Sequence, residues 1–304
     1  MFLQPTAFLV SPEAMDRAWT RTEALAYTRW LATHHYENFQ IVSFLLPKRL
    51  HQDFYNVYSF CRWADDLGDE IGNTQQSLRW LAWWREELHA MYAGQARHPV
   101  FVALQSTVPE YSLPMQPFDD LITAFEQDQT VTRYRNFDEL FHYCRYSANP
   151  VGRLVLGLCG YSDAERQALS DATCTALQLA NFWQDVIVDL EKDRVYLPLD
   201  LLAAHHYPVE ALFARRFDDH FRAAMKEAVD VARGLFLKGL PLADSVNRRL
   251  AIDLELFSRG GLRVLEKIEK QDYDVLRARP AISKVERVGL LLGALTRRAF
   301  SRAA

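Results

Sequence analysis

An all-α fold is what this sequence predicts, on three observations. Apolar residues recur at three- and four-residue intervals along nearly all of the 304 residues, and the Val/Ile/Thr alternation of half-buried strands is scarce. Breakers such as Pro47, Gly94 and the Pro-rich stretch VPEYSLPMQP (108–117) fall between the periodic segments. With 49% hydrophobic and 12% aromatic residues, the chain can bury a sizeable core.

Taken in order, the periodicity predicts a first helix over about 13–33 and a second over 51–71, introduced by Pro47. A third, over 75–93, is closed by Gly94, and VPEYSLPMQP joins helices over 98–107 and 117–130. A helix over 137–159 precedes a long central one over 163–191, which ends in the loop KDRVYLPLD (192–200). Helices over 209–237, 242–272 and 283–300 complete the chain. With no low-complexity linker, charge block or short repeat, 13–300 reads as one helical domain and 1–12 as an N-terminal tail. The tail, MFLQPTAFLV onward, is apolar but broken by Pro5 and far shorter than the roughly 20 residues that span a bilayer. Neither a signal peptide nor a transmembrane helix is expected.

A formal net charge of −4 argues against a polyanion-binding surface, so nucleic acid is not an expected partner. Cys61, Cys144, Cys159 and Cys174 lie in apolar segments without a CxxC pair. They read as reduced, buried thiols of a cytoplasmic protein.

Two acidic segments carry the chemistry. In FCRWADDLGDE (60–70), Asp65, Asp66, Asp69 and Glu70 crowd together, and Tyr58, Arg62, Asp65 and Asp69 form one helical stripe at steps of 4, 3 and 4. In LQLANFWQDVIVDLEKDRVYLP (177–198), Gln178, Asn181, Asp185 and Asp189 repeat the pattern at 3, 4 and 4 inside a strongly apolar helix. Unpaired carboxylates are costly there, and like charges at i and i+4 repel by about 0.2–0.5 kcal/mol even when exposed. Two Asp-x-x-x-Asp pairs on facing helices would supply hard oxygen ligands for Mg²⁺, which favours one or two carboxylates with water and phosphate. The pattern therefore predicts a diphosphate site. An EF-hand is a poor fit, since its alternating acids and central glycine are absent. The bland counterpart for the first segment is a solvated acidic face.

These residues resemble the squalene/phytoene synthase family of head-to-head prenyl synthases over most of the chain. YSFCRWADDLGDE is similar to that family's first aspartate-rich motif and NFWQDVIVDLEKDRVYLP to its second. HHYENF (34–39) resembles its N-terminal phosphate-binding segment, YCRYSANPVG (143–152) its tunnel-lining helix, and GGLRVLEKIEKQDYDVLRARPAIS (260–283) its C-terminal helix and turn. The resemblance implies an all-α isoprenoid synthase fold, a single helical bundle around a central cavity, with three Mg²⁺ ions and prenyl diphosphate substrates. It implies Asp65, Asp69, Asp185 and Asp189 as catalytic metal ligands, with Asp66 as an accessory. Tyr58, Arg62, Gln178, Asn181, Arg194 and Tyr196 would contact diphosphate or metal. Arginine suits that task because its fork holds phosphate oxygens bidentately. The plainer alternative for Arg62 is an intrahelical salt bridge to Asp65 or Asp66, and the tyrosines also read as core residues. At least one of His34 and His35 reads as a surface residue.

Two departures resemble the hydroxysqualene synthase branch. Gln184 stands where most members carry arginine, and the tunnel segment reads Ala148, Asn149, Pro150, Val151, Gly152. That branch converts presqualene diphosphate and water to hydroxysqualene and diphosphate, a step toward squalene and hopanoids. By charge, a glutamine suits a site holding one diphosphate where a coupling enzyme holds two. Asn149 and Tyr143 are candidates for orienting the water, although Tyr143 also reads as helix packing. Phe39, Val42, Leu45, Leu154 and Leu158 read as chain-lining residues or ordinary core. A coupling synthase and a non-catalytic helical lipid-binding or assembly subunit are the alternatives. Location is expected to be cytoplasmic, with at most peripheral contact at the inner face of the membrane.

Overall fold

A computed structural model describes residues 2–34, 47–283, 285–286, 289–291 and 293–294. Its helices in chain order are α1 (Pro5–Leu9), α2 (Pro12–Met15), α3 (Arg21–His34), α4 (His51–Asp69), α5 (Thr74–Tyr92), α6 (Pro99–Glu110), α7 (Gln116–Gln127) and α8 (Phe137–Ser147). There follow α9 (Asn149–Leu158), α10 (Ala164–Gln184), α11 (Val186–Glu191), α12 (Leu199–Ala204), α13 (Val209–Phe213), α14 (Asp219–Gly239) and α15 (Arg248–Lys270). Among the described residues there is no strand, and only the isolated bridge Arg133–Val195 pairs backbone in sheet fashion. The all-α expectation therefore holds. No helix among the described residues is long and apolar enough to cross a membrane.

Where the sequence reads 13–300 as one domain, tertiary contacts gather the chain into two compact units, and each is described by itself. Unit one comprises Met1–Thr130 and Pro150–Ser162. Its α4 packs against α3, α5, α6 and α7, with an aromatic seam as the reason. Trp63 stacks on Trp84 of α5 at 5.1 Å between centroids and 11° between planes, and Phe60 meets Phe118 of α7 edge-on at 4.9 Å. His98 lies 4.4 Å from the Trp63 ring, and its Nδ1 accepts the Val100 amide at 3.3 Å, capping α6. Burial holds its pKa well below the ordinary histidine value.

The opening residues, expected as a tail, instead contribute to this core. Pro5 and Pro12 stand in the first turns of α1 and α2, where a missing N–H leaves no bond unmade. Phe8 is 2% exposed and meets Trp63 edge-on at 5.2 Å. Pro5 thus starts a helix where the sequence reading took it as an interruption. A buried polar network then ties α3, α4 and α6. Thr28 Oγ1 donates to Asn56 Oδ1 at 2.6 Å, Asn56 Nδ2 donates to Thr107 Oγ1 at 2.9 Å, and Thr107 Oγ1 donates to Asp53 Oδ1 at 2.8 Å. Each buried polar group gains a partner, which offsets the cost of removing it from water.

Unit two comprises Val131–Asn149 and Asp163–Ala304. Caps set its helix starts: Asp163 and Asp218 each accept a backbone amide at 3.0 Å, and Asn247 accepts two at 3.2 Å. The long helices came out shorter than their periodicity suggested. The expected 163–191 helix is interrupted at Asp185 (φ −104°, ψ 14°), and the 137–159 helix at Ala148 (φ −111°, ψ −48°). The 209–237 stretch divides into α13 and α14, and Leu199–Ala204 turns helical behind Pro198 where loop was expected. In the last expected helix, backbone is helical at 285–286, 289–291 and 293–294, and its remaining positions after Ser283 lie outside the described residues.

α10 and α14 run together because Trp183 Nε1 donates to the Ala228 carbonyl at 3.0 Å. α15 closes on α14 at Gly261, where a Cβ would lie 2.1 Å from Phe236 Cζ. Phe236 is 0% exposed, so its ring cannot swing aside. Gly261→Ala is therefore expected to lower stability by about 2 kcal/mol through overpacking. Urea unfolding followed by far-UV circular dichroism checks this; an unchanged midpoint would contradict the close approach.

Candidate functional site

The first acidic segment occupies the last three turns of α4 and its C-cap, Glu70. The helix leaves Asp65 half-buried, with its side chain 43% exposed, and turns Asp66 inward to 6%. Asp69 and Glu70 are exposed at the helix end, and Tyr58 is half-buried. Arg62 pairs with both neighbours: its Nη1 meets Asp65 Oδ2 at 3.1 Å and its Nη2 pairs with Asp66 Oδ1. The intrahelical reading of Arg62 is thus realised, yet its buried Nε has no hydrogen-bond partner in the structure. That leaves one guanidinium donor aimed at no protein acceptor. Burial pushes the Asp66 carboxyl up to about 6, against the pull of Arg62 and with the repulsion of Asp65 and Glu70.

At the second segment, Asp185 is the joint between α10 and α11. Gln178 is half-buried, Asn181 is exposed, and Asp185 and Asp189 are half-buried. Burial pushes Asp189 up to about 7; the Asp185 charge adds to this, while Arg194 and Lys192 oppose it. The Arg194 amide donates to the Asp189 carbonyl at 2.8 Å, folding KDRVYLP back on the helix end. Arg133 grips the same turn through Asp193, whose φ of 54° lies in the left-handed region. Tyr196, expected at the diphosphate, is 8% exposed and stacks on Phe182 at 3.6 Å and 5°. Tyr134 stacks on Tyr196 from 5.8 Å and Tyr143 lies 6.2 Å from it, so these four rings form one aromatic cluster of unit two.

Sequence reasoning missed Arg279. It forks the Asp185 carboxylate, with Nε on Oδ1 and Nη2 on Oδ2 at 3.1 Å. Next to it, the Gln184 amide, buried with its residue at 9% exposure, donates to the Pro280 carbonyl. The cation that the apolar helix demanded is therefore present, but it arrives from 94 positions away. No helical spacing carries that signal; the one available hint was the pair Arg277 and Arg279 in the short turn RARPAI.

Among the described residues, no group of three or more His, Cys, Asp or Glu side chains gathers to hold a metal ion. The carboxylates come instead as Asp65 with Asp69 in unit one and Asp185 with Asp189 in unit two. Their donors nevertheless fit a hard divalent cation. They are all-oxygen, and the Asp185 charge adds to the burial that lifts Asp189, a crowding that a cation would relieve; Mg²⁺ takes such carboxylates together with water and phosphate.

Other expected residues fall as follows. Tyr143, Leu154 and Leu158 are buried, and Asn149 Oδ1 accepts the Thr175 hydroxyl at 2.9 Å, so that oxygen is already engaged. His34 is exposed with Nδ1 at 2.9 Å from the Trp30 carbonyl. His35, Phe39, Val42 and Leu45 lie outside the described residues. Cys61 and Cys144 are raised to about 12 by burial, which keeps both as thiols.

Residues 32–286 match the family model described as squalene/phytoene synthase. A hydroxysqualene synthase of Rhodopseudomonas palustris is 32% identical over 275 residues, covering 89% of this chain and 93% of that protein. A 15-cis-phytoene synthase of Synechococcus elongatus is 30% identical over 274 residues, covering 85% and 88%. The crystal structure of squalene synthase HpnC from Alicyclobacillus acidocaldarius superposes with a TM-score of 0.81 at 44% identity, covering 83% of this chain and 95% of that one.

Proposed function

Since the chain belongs to the squalene/phytoene synthase family, all-α enzymes of the isoprenoid synthase fold that act on prenyl diphosphates, we propose that it converts presqualene diphosphate and water to hydroxysqualene and diphosphate. The observation that carries this choice is the graded likeness. Identity is 44% to squalene synthase HpnC, 32% to the hydroxysqualene synthase and 30% to the phytoene synthase. Gln184 does not carry it alone, because Arg279 brings a guanidinium to the neighbouring Asp185.

Bound Mg²⁺ would supply the Lewis acid that draws electron density from the leaving diphosphate. Asp65 and Asp69 of unit one are residues that would hold such an ion, and so are Asp185 and Asp189 of unit two. Arg62, whose buried Nε has no protein acceptor, is the cation that unit one would offer to a phosphate oxygen. When the carbon–oxygen bond breaks, its electron pair leaves with the diphosphate; a water oxygen then bonds to the rearranged cation and releases one proton. Phe182, Tyr196, Tyr134 and Tyr143, all buried, form an apolar wall that would keep other water from such a cation. The product is membrane-soluble, so a cytoplasmic protein with peripheral attachment is the matching location.

The test is product identification after incubating the purified protein and Mg²⁺ with presqualene diphosphate, and separately with farnesyl diphosphate. Hydroxysqualene from the first, nothing from the second, and no turnover in excess chelator are expected. Efficient coupling of farnesyl diphosphate would replace this reading with that of a head-to-head coupling synthase.

A further inference from the structure

Arg279 is held from both sides. Beyond α15 the chain turns through Asp272 and Tyr273, both left-handed at φ 56° and 63°. Gln271 Nε2 then donates to the carbonyls of Asp274 and Ala278, each at 3.1 Å, while Val275 and Leu276 are buried beneath the turn. On the other side, Pro280 is buried with its carbonyl taken by Gln184. The arginine between these anchors reaches Asp185 with a side chain that stays 51% exposed. Its backbone is anchored on both sides, while its fork, paired with Asp185, stays half-exposed.

We propose that Arg279 is a positioning residue that occupies the Asp185 carboxylate until a divalent cation arrives and then passes to the phosphate oxygens of the ligand, with Gln184 as the clip that keeps it within reach. This rests on the metal–diphosphate reading above. A carboxylate forked by a guanidinium has both oxygens engaged, so a cation must displace the arginine to bind. Once a doubly charged ion sits on Asp185, it repels the guanidinium that it displaced. The released fork carries a permanent charge and a geometry that matches phosphate bidentately. Cation and diphosphate should therefore bind with positive coupling, each weak alone, because the first frees the residue that the second recruits.

Mn²⁺ serves as the probe, its free concentration read by electron paramagnetic resonance, with and without inorganic pyrophosphate. Arg279→Gln is expected to bind Mn²⁺ alone about three- to tenfold more tightly, the scale of losing one competing ion pair. Its pyrophosphate affinity at saturating Mn²⁺ should fall by a similar factor. Arg279→Lys, which keeps the charge without the fork, should recover part of the pyrophosphate affinity. Gln184→Leu, which removes the clip, should shift both quantities in the same directions by less. Mn²⁺ binding by Arg279→Gln that equals or is weaker than wild type overturns the exchange. If wild type itself shows no Mn²⁺-dependent pyrophosphate binding, the metal–diphosphate reading falls and the exchange with it.

Discussion

Asp185→Asn is expected to lower turnover of presqualene diphosphate at least about a hundredfold, a loss of about 2.7 kcal/mol of transition-state stabilisation. The asparagine keeps the shape of the joint between α10 and α11 but offers a neutral oxygen where a charged one is needed. Stability should hardly change. The ion pair that is lost joins side chains 27% and 51% exposed, and pairs of that kind contribute about 0–1 kcal/mol. Asp65→Asn on α4 should produce a comparable loss of activity. The double variant should lose much less than the product of the two effects, because ligands that serve one step act as a unit. Steady-state rates at ordinary Mg²⁺ decide this: full turnover by either single variant would remove that aspartate from the metal assignment, and strictly multiplicative losses would separate the two pairs.

Asp253→Asn is expected to raise the stability of unit two. Asp253 is 2% exposed on α15, and neither carboxylate oxygen has a hydrogen-bond partner in the structure. Burial alone pushes its pKa from the ordinary 3.8 up to about 8. The unfolded chain ionises this group near its ordinary value while the folded one holds the proton until about 8. Over that window the folded state binds more protons, so stability is fullest below the ordinary value and falls as pH rises through the folded one. A tenfold change in proton affinity corresponds to about 1.4 kcal/mol, so the loss by pH 8 is on the order of several kcal/mol. Asparagine cannot ionise and escapes it. In urea unfolding at pH 5 and pH 8, the variant's advantage should be small at the lower pH and on the order of 3 kcal/mol at the higher. An advantage independent of pH would show that the carboxyl titrates normally.

Helix content was legible because periodicity is a local property. The apolar spacing of α4 and α5 sufficed to place them within a few residues. So did the polar stripes, whose aspartates and Arg62 were singled out from spacing alone. What stayed hidden depends on distant partners. Nothing near Asp185 announces that the helix stops there, because the groups that engage Gln184 and Asp185 are Pro280 and Arg279. Asn181 shares a stripe with Asp185 and Asp189 by count, yet it is exposed while they are half-buried. Phe8 failed to register as core for the same reason: its partners Trp63 and His98 come from other helices.

The aromatic seam of unit one also gives the protein a built-in optical asymmetry. Of the 7 tryptophans, Trp19, Trp30, Trp63, Trp80, Trp83 and Trp84 belong to unit one and only Trp183 to unit two. The stacked indoles of Trp63 and Trp84, 5.1 Å apart, are close enough to couple their transition dipoles. Intrinsic emission therefore reports almost entirely on unit one. Gly261 and Asp253 both lie in the other unit, so replacing either could leave the emission curve in place while the backbone ellipticity melts early. Replacing Trp183 with phenylalanine would make the emission a signal of unit one alone.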